Sequence, residues 1–154
     1  MTTISLRRAT QADVPEIRRI HRVAIAVVCA RDYPPDVVTA WLAGNREERY
    51  REVIRTQSFW IAEDAERTVG FGSVHLRKGK LESLFLDPTS LGKGIAKTIL
   101  VHLERIASES EIAELKVNSS RSALAFYAKH GYRKSEHPGS IPLPNGMAIF
   151  GILM

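Results

Sequence analysis

Cysteine occurs once in this chain of 154 residues, as Cys29, so no disulfide can form within it. A lone thiol suits a reducing compartment, and a cytoplasmic protein is expected. The opening stretch MTTISLRRATQAD lacks the apolar core of a secretory signal. The longest apolar run, Val23 to Ala30, falls far short of the ~20 residues that span a bilayer, so no membrane association is expected. Charge of one sign is not concentrated: 22 Lys and Arg against 17 Asp and Glu leave a net +5, spread along the chain. That surplus suits an anionic ligand, but without a basic patch it argues against nucleic acid. His21, His75, His102, His130 and His137 show no metal-ligand spacing, and no metal is expected. Repeats, low-complexity tracts and linkers are also missing, so residues 1–154 read as one domain with enough chain for a core.

What is present alternates between the two secondary-structure periods. Ile4 to Arg8 reads as a short strand. Thr10-Gln11-Ala12-Asp13 opens a helix whose apolar face is Val14, Ile17, Ala24 and Val27. Tyr33-Pro34-Pro35 breaks it, Asp36 caps a second helix that ends at Gly44, and a third runs from about Arg46 to Arg55. Arg18-Arg19 and Arg46 to Arg51 read as solvated helix faces, and Trp41 and Trp60 as core. Phe59–Glu63, Val69–Leu76 and Leu81–Leu86 then form strands of an antiparallel meander. Ile95, Ile99, Leu103 and Ile106 recur at helical spacing. Ala113–Val117 reads as a strand, and Ser119 or Ser120 caps a helix closed by Gly131. Strands from Tyr132 onward and over Met147–Leu153 flank the loop HPGSIPLPNG. The expected fold class is mixed α/β (α+β), with a sheet of about six or seven strands flanked by helices.

The segment DPTSLGKGIAKTILVHLERIA, Asp87 to Ala107, sets Gly92 and Gly94 between a proline turn and a helical run. A P-loop is excluded, because no glycine precedes Gly94 at the required distance and Ile95 follows it. A dinucleotide fingerprint would need a third glycine where Lys97 stands and an acid ending the next strand, which ends at Asn118. Two readings stay open: a pyrophosphate cradle of backbone N–H groups at a helix N-terminus, or a plain turn whose glycine permits close helix packing.

The wider context bears on that choice. Leu84-Phe85-Leu86-Asp87-Pro88 followed by Gly92-Lys93-Gly94-Ile95-Ala96 resembles the acetyl-CoA-binding motif of the GNAT acetyltransferase superfamily. Val117-Asn118 with Ala123 to Tyr132 (ALAFYAKHGY) resembles the family's later motif, and Leu6 to Asp13 its usual opening. The resemblance covers most of the chain in order, leaving Ala30–Ser58 and Pro138–Gly146 generic. It implies a GNAT-like, mostly antiparallel sheet in which Leu81–Leu86 and Ala113–Val117 form a splayed parallel pair. It also implies an acetyl-CoA-dependent N-acetyltransferase that passes an acetyl group to a primary amine, on a small molecule or a protein, by direct attack on the thioester. The partners are then acetyl-CoA and an amine acceptor; a homodimer is compatible with the sequence, which does not fix the oligomeric state. Leu91 stands where the family has Gln or Arg, which removes one polar contact to the pyrophosphate. That loss favours the alternative, a non-catalytic acetyl-CoA-binding regulator or sensor, whereas retention of Tyr127 and Glu82 favours the enzyme.

The resemblance assigns cofactor contacts to Leu84, Phe85, Leu86, Gly92, Lys93, Gly94, Ile95, Ala96, Lys97, Asn118 and Phe126. It makes Tyr127 the acid that protonates the departing thiolate. Acetylation needs a neutral amine, although an alkyl ammonium has a pKa of about 10. Glu82 lies on the strand that leads into the cradle, on one face with Leu84 and Leu86 by strand alternation, and could take that proton through water. It could equally be a pocket charge that attracts a cationic substrate. Asp32 and Tyr33 lie in the region that forms the acceptor wall in this family, and they are candidate substrate contacts. Cys29 has no base paired with it in the sequence, so a buried thiol is expected.

Overall fold

The sheet is built from strands whose two faces are covered by different helices. The computed structural model describes residues 3–134, 138–142 and 148–153. Its elements are β1 (Ile4–Arg8), α1 (Val14–Val27), α2 (Pro35–Ala43), α3 (Glu47–Thr56), β2 (Ser58–Asp64), β3 (Arg67–His75), β4 (Lys80–Leu86), α4 (Ile95–Glu109), β5 (Lys116–Ser119), α5 (Leu124–Lys129), β6 (Pro138–Pro142) and β7 (Ala148–Leu153). Strand order is β1-β2-β3-β4-β5-β7-β6. Every described neighbour pair is antiparallel except β4 and β5, which run parallel.

Alternation along β3 decides what covers each face. Phe71 joins Phe59, Ile61, Val14, Ile17, Ile20 and Tyr50 in the layer beneath α1 and α3. Gly70 and Gly72 point the other way, under α4, whose Ile95, Ile99, Leu100 and Leu103 pack with Val74, Leu81 and Leu86. A side chain has no room there: a Cβ at Gly72 would lie 2.7 Å from Ile99 Cγ2. A smaller cluster of Ile25, Cys29, Tyr33, Val38 and Trp41 joins α2 to the end of α1. At the start of α1, the Asp13 carboxylate accepts from Thr10 N at 2.7 Å and takes both ends of the Arg7 guanidinium at 2.7 and 2.8 Å. Arg7 also reaches Glu63 at 2.7 Å, so one guanidinium ties β1, β2 and the helix start together.

Two expected strand boundaries move. The fifth strand is Lys116–Ser119, not Ala113–Val117. The end of α4 turns back, with Glu111 at φ +62° and Ile112 N donating to Ala107 O at 3.1 Å, and pairing first resumes where Lys116 N meets Gly79 O at 3.0 Å. Tyr132–Lys134 forms no strand; β6 lies instead at Pro138–Pro142, inside the stretch expected to be a loop. It is an edge strand in the order above, and an edge tolerates prolines that a central strand does not. Met147 and the rest of that loop lie outside the described residues.

The parallel pair is short and splayed. β4 and β5 meet only at Lys80↔Lys116 and Leu81↔Val117. Beyond that point β5 turns to β7, with Asn118 opposite Leu153 and Ser119 opposite Ile152. On its other side, β4 shifts register against β3: Val74 pairs Leu81, but Ser73 pairs Ser83. Glu82 is therefore the extra residue of a bulge, a feature that bends a strand and re-aims its side chains.

Candidate active site

The turn between β4 and α4 is fixed by Asp87. Its carboxylate is buried and accepts from Thr89 N at 3.0 Å, Thr89 Oγ1 at 2.9 Å and Arg19 Nη1 at 3.2 Å. Burial opposes the charge, but the Thr89 and Arg19 hydrogen bonds outweigh it and hold the carboxyl below its ordinary pKa. Arg19 is exposed, as expected of a solvated helix face, and it also clamps α1 to this turn. Gly92 and Gly94 both adopt φ +77°, and a Cβ at either would meet nothing within 4 Å. Backbone conformation therefore demands these glycines, and the space they face is open. Gly94 caps α4, and the first helical N–H to bond backward is that of Thr98, to Gly94 O at 3.2 Å. The N–H groups of Ile95, Ala96 and Lys97 are left for an external acceptor, beside the exposed Lys93 and Lys97 side chains. Open space, free donors and a positive helix end fit a pyrophosphate.

Below this turn, a cavity of about 240 Å³ occupies the gap between β4 and β5. Leu91 and Ala96 stand at it, Leu84, Phe85 and Leu86 form one wall, and Asn118, Phe126 and Tyr127 form another. Gly92, Lys93, Gly94, Ile95 and Lys97 are not among its lining residues; they make up the adjoining turn. Tyr127 is 4% exposed, and burial pushes its phenol above the ordinary value of 10. Its hydroxyl therefore keeps its proton through neutral and mildly alkaline pH. The C-terminal end of α5 folds over the same residue, with Tyr132 N donating to Tyr127 O at 3.0 Å. Cys29 also lines this cavity, and burial raises its thiol pKa, which suits an inert thiol better than a nucleophile.

A second cavity, of about 230 Å³, opens on the α1/α3 side of the sheet. His21, Asn45, Arg49, Tyr50, Phe71 and Ser73 help to line it. His21 Nδ1 lies 2.7 Å from the Tyr50 hydroxyl, and its ring packs 4.3 Å from that of Phe85. Burial, helped by the positive charge of Arg49, lowers the His21 pKa to about 3, so the imidazole is neutral at physiological pH. The two cavities share Trp41, Glu82, Ser83, Phe85 and Asn118. The bulge at Glu82 forms the middle of that shared wall, with Trp41 of α2 and Asn118 of β5 beside it.

Glu82 departs from the sequence expectation in one respect. Strand alternation puts it on one face with Leu84 and Leu86, but the bulge resets the alternation. Leu81 shares the α4 layer with Leu84 and Leu86, while Glu82 is exposed where both cavities meet. Asp32 and Tyr33 reach neither cavity. Tyr33 is 6% exposed and packs its ring 5.6 Å from that of Trp41, while Asp32 closes a short turn at the surface. Trp41, read from sequence as core alone, lines both cavities as well. Asn45 went unnoticed because it falls in the generic segment; Arg49 is exposed, as the reading of Arg46 to Arg51 as a solvated face expects, but it also lines the second cavity.

A splayed parallel strand pair, a Gly-rich turn at a helix N-terminus and an acid-bearing bulge between two cavities define an acyl-CoA-dependent transferase. The family model described as acetyltransferase (GNAT) domain matches residues 29–140. The chain belongs to this family, and its activity is acetyl-CoA-dependent N-acetyl transfer. It is 25% identical over 150 residues to a spermidine N(1)-acetyltransferase of Thermoplasma acidophilum, covering 90% of this chain and 93% of that one. It is 26% identical over 137 residues to an amino-acid acetyltransferase of Mycobacterium tuberculosis, covering 85% and 69%. A crystal structure of a GCN5-related N-acetyltransferase from Rhodopseudomonas palustris superposes with a TM-score of 0.91 at 26% identity, covering 100% of this chain and 95% of that one. The T. acidophilum PaiA N-acetyltransferase in complex with coenzyme A shares the fold at a TM-score of 0.82 and 21% identity, covering 98% and 97%.

Proposed function

We propose that residues 1–154 act as one domain, in the cytoplasm, that binds acetyl-CoA along the β4–β5 gap and acetylates a primary amine lodged in the second cavity. The observation that carries this reading is the shared wall: the only carboxylate lining either cavity among the described residues, Glu82, stands where they meet. The turn from Gly92 to Lys97 holds the pyrophosphate, and the edge of Leu84–Leu86 receives the pantetheine arm. Acetyl-CoA supplies the acetyl group already activated as a thioester.

The chain's own residues handle protons. Glu82 takes one proton from the ammonium, directly or through water, leaving a nucleophilic amine. As the new N–C bond forms and the C–S bond breaks, Tyr127 gives its hydroxyl proton to the sulfur. The resulting phenolate is then returned to the phenol by the second proton that the nitrogen sheds. One proton is released per turnover, and the products are the amide and free CoA. A protonated Tyr127 across the working pH range supports its part as acid.

The test is a screen of primary amines with acetyl-CoA, reading free thiol. Amine-dependent thiol release is expected, with a large loss of kcat in Glu82→Gln and an unchanged affinity for CoA. Tight acetyl-CoA binding with no amine-dependent release, across polyamines, amino acids and peptide amines, would overturn the enzymatic reading.

A further inference from the structure

The second cavity has a charge pattern that selects among amines. Among its described lining residues Glu82 is the lone acid, against Arg49 and Lys80. A long polycation would want several carboxylates along such a wall, and it would meet two cations instead. Arg49 makes no ion pair and no side-chain hydrogen bond within the described residues. It comes from α3 and lies near His21 and the Tyr50 hydroxyl.

Asn45 supplies an independent sign. It is 4% exposed, it lines the same cavity, and its amide Nδ2 has no hydrogen-bond partner among the described residues. A buried donor left unsatisfied is costly, and such a group in a residue of the cavity wall points to a ligand acceptor atom. Its backbone is held in place: Asn45 N donates to Leu42 O at 3.2 Å, and Arg18 Nε donates to Asn45 O at 2.8 Å. Arg22 braces the same loop by donating to Leu42 O at 2.7 Å. A guanidinium that only donates, exposed on α3, and an amide whose N–H lacks a partner thus both border the cavity, and Phe59, Phe71 and Phe85 line it with apolar rings. The acceptor-only group that suits a guanidinium and an amide N–H together is a carboxylate.

We propose that this cavity selects amines that also carry a carboxylate, an α-amino-acid-like zwitterion with an apolar side chain. Arg49 and Asn45 hold the carboxylate, and Glu82 receives the ammonium on the side facing the thioester. The inference rests on the acetyl-transfer reading given above and names the acceptor class for it. Arg49 is a specificity-determining residue in this account, not an acid or a base.

The experiment uses matched pairs that differ only in the carboxylate: phenylalanine with phenethylamine, and leucine with isopentylamine. Spermidine and phosphoethanolamine are run beside them. With acetyl-CoA saturating, kcat/KM for each amino acid should exceed that of its decarboxylated twin by about tenfold to hundredfold, the usual worth of hydrogen bonds to a charged group. Arg49→Met should bring that ratio towards one, mainly through KM of the amino acid. Asn45→Asp, which sets a negative charge against the carboxylate, should do the same. Melting curves and calorimetry with CoA confirm that each variant is folded and still binds the donor. Equal or better rates for the decarboxylated twins, a preference for spermidine or phosphoethanolamine, or a ratio that survives Arg49→Met would overturn the inference while leaving the acetyltransferase reading intact. CoA binding with no acetylation of any compound in this set would overturn it too. Failure to bind CoA at all would instead strike the reading on which it rests.

Discussion

Replacing Gly94 by Asp and by Asn separates the two demands placed on that position. Its φ of +77° is the left-handed region, where an ordinary residue pays about 1–2 kcal/mol and Asn or Asp somewhat less. Space is no obstacle, since a Cβ there meets nothing within 4 Å. Both variants should therefore fold. Asp should be the more stable of the two without ligand, because a negative charge is favourable at a helix N-terminus by ~0.3–1 kcal/mol. Affinity should run the opposite way. A carboxylate about 4–6 Å from a phosphate charge, at an effective dielectric between those of water and a protein surface, is repelled by roughly 1–4 kcal/mol. Calorimetric titration with CoA should thus show Gly94→Asp weaker than Gly94→Asn by about tenfold or more, with the gap shrinking at high salt. Melting temperatures on the same preparations should show no matching loss for Asp. Equal CoA affinities for the two folded variants would refute the placement of the pyrophosphate at this helix end.

Other expectations follow from the same geometry. His21 has a folded pKa lowered to about 3 against an ordinary 6.5, so the unfolded chain binds the extra proton. Its contribution to stability is full above about pH 6.5 and is lost as pH falls towards 3, at up to ~1.4 kcal/mol per unit. Denaturant melts at pH 7 and pH 5 should show a fall in the native protein, at most about 2 kcal/mol from this group, that His21→Gln lacks. His102 is also depressed and adds the same slope to both proteins. Leu91 is 49% exposed at the mouth of the first cavity, so Leu91→Gln should leave stability unchanged within ~0.5 kcal/mol and leave CoA affinity equal or modestly better. Calorimetry showing weaker binding would mean that the apolar side chain itself contacts the donor.

Local signals carried much of the fold into the sequence. Gly92 and Gly94 before an apolar-periodic run announce a left-handed turn and a helix start, because both depend on neighbours a few residues away. The meander of β2, β3 and β4 is legible for the same reason. What was not legible depends on pairing across the sheet. Leu81-Glu82-Ser83-Leu84-Phe85-Leu86 offers no mark of a bulge; the bulge exists because Val74 pairs Leu81 while Ser73 pairs Ser83. Without it Glu82 is assigned to one face with Leu84 and Leu86. β6 was hidden by Pro138 and Pro142, which forbid a central strand but not an edge. The fifth strand was read early because its last two residues, Asn118 and Ser119, are polar and do not continue the apolar pattern. Arg49 and Asn45 are surface-like in sequence, and they acquire meaning only when α3 and the end of α2 close over the α1 side of the sheet. Asp32 and Tyr33 show the reverse: plausible chemistry in sequence, but Tyr33 is drawn into the core with Trp41.

Proton delivery by Tyr127 from the wall of the donor cavity is the central claim, and Tyr127→Phe tests it most directly. The substitution removes a proton and little volume. Steady-state kinetics with an amine that the native enzyme acetylates should give a kcat lower by about 10²-fold, the low end for general acid catalysis, with nearly unchanged acetyl-CoA affinity. Because burial holds the phenol above its ordinary value, the native enzyme should show no loss of rate from Tyr127 ionisation below pH 10. A merely structural hydroxyl would instead cost about 1 kcal/mol in the melt and leave turnover intact. An unchanged kcat in a folded variant would contradict the claim and give the proton to water or to another residue.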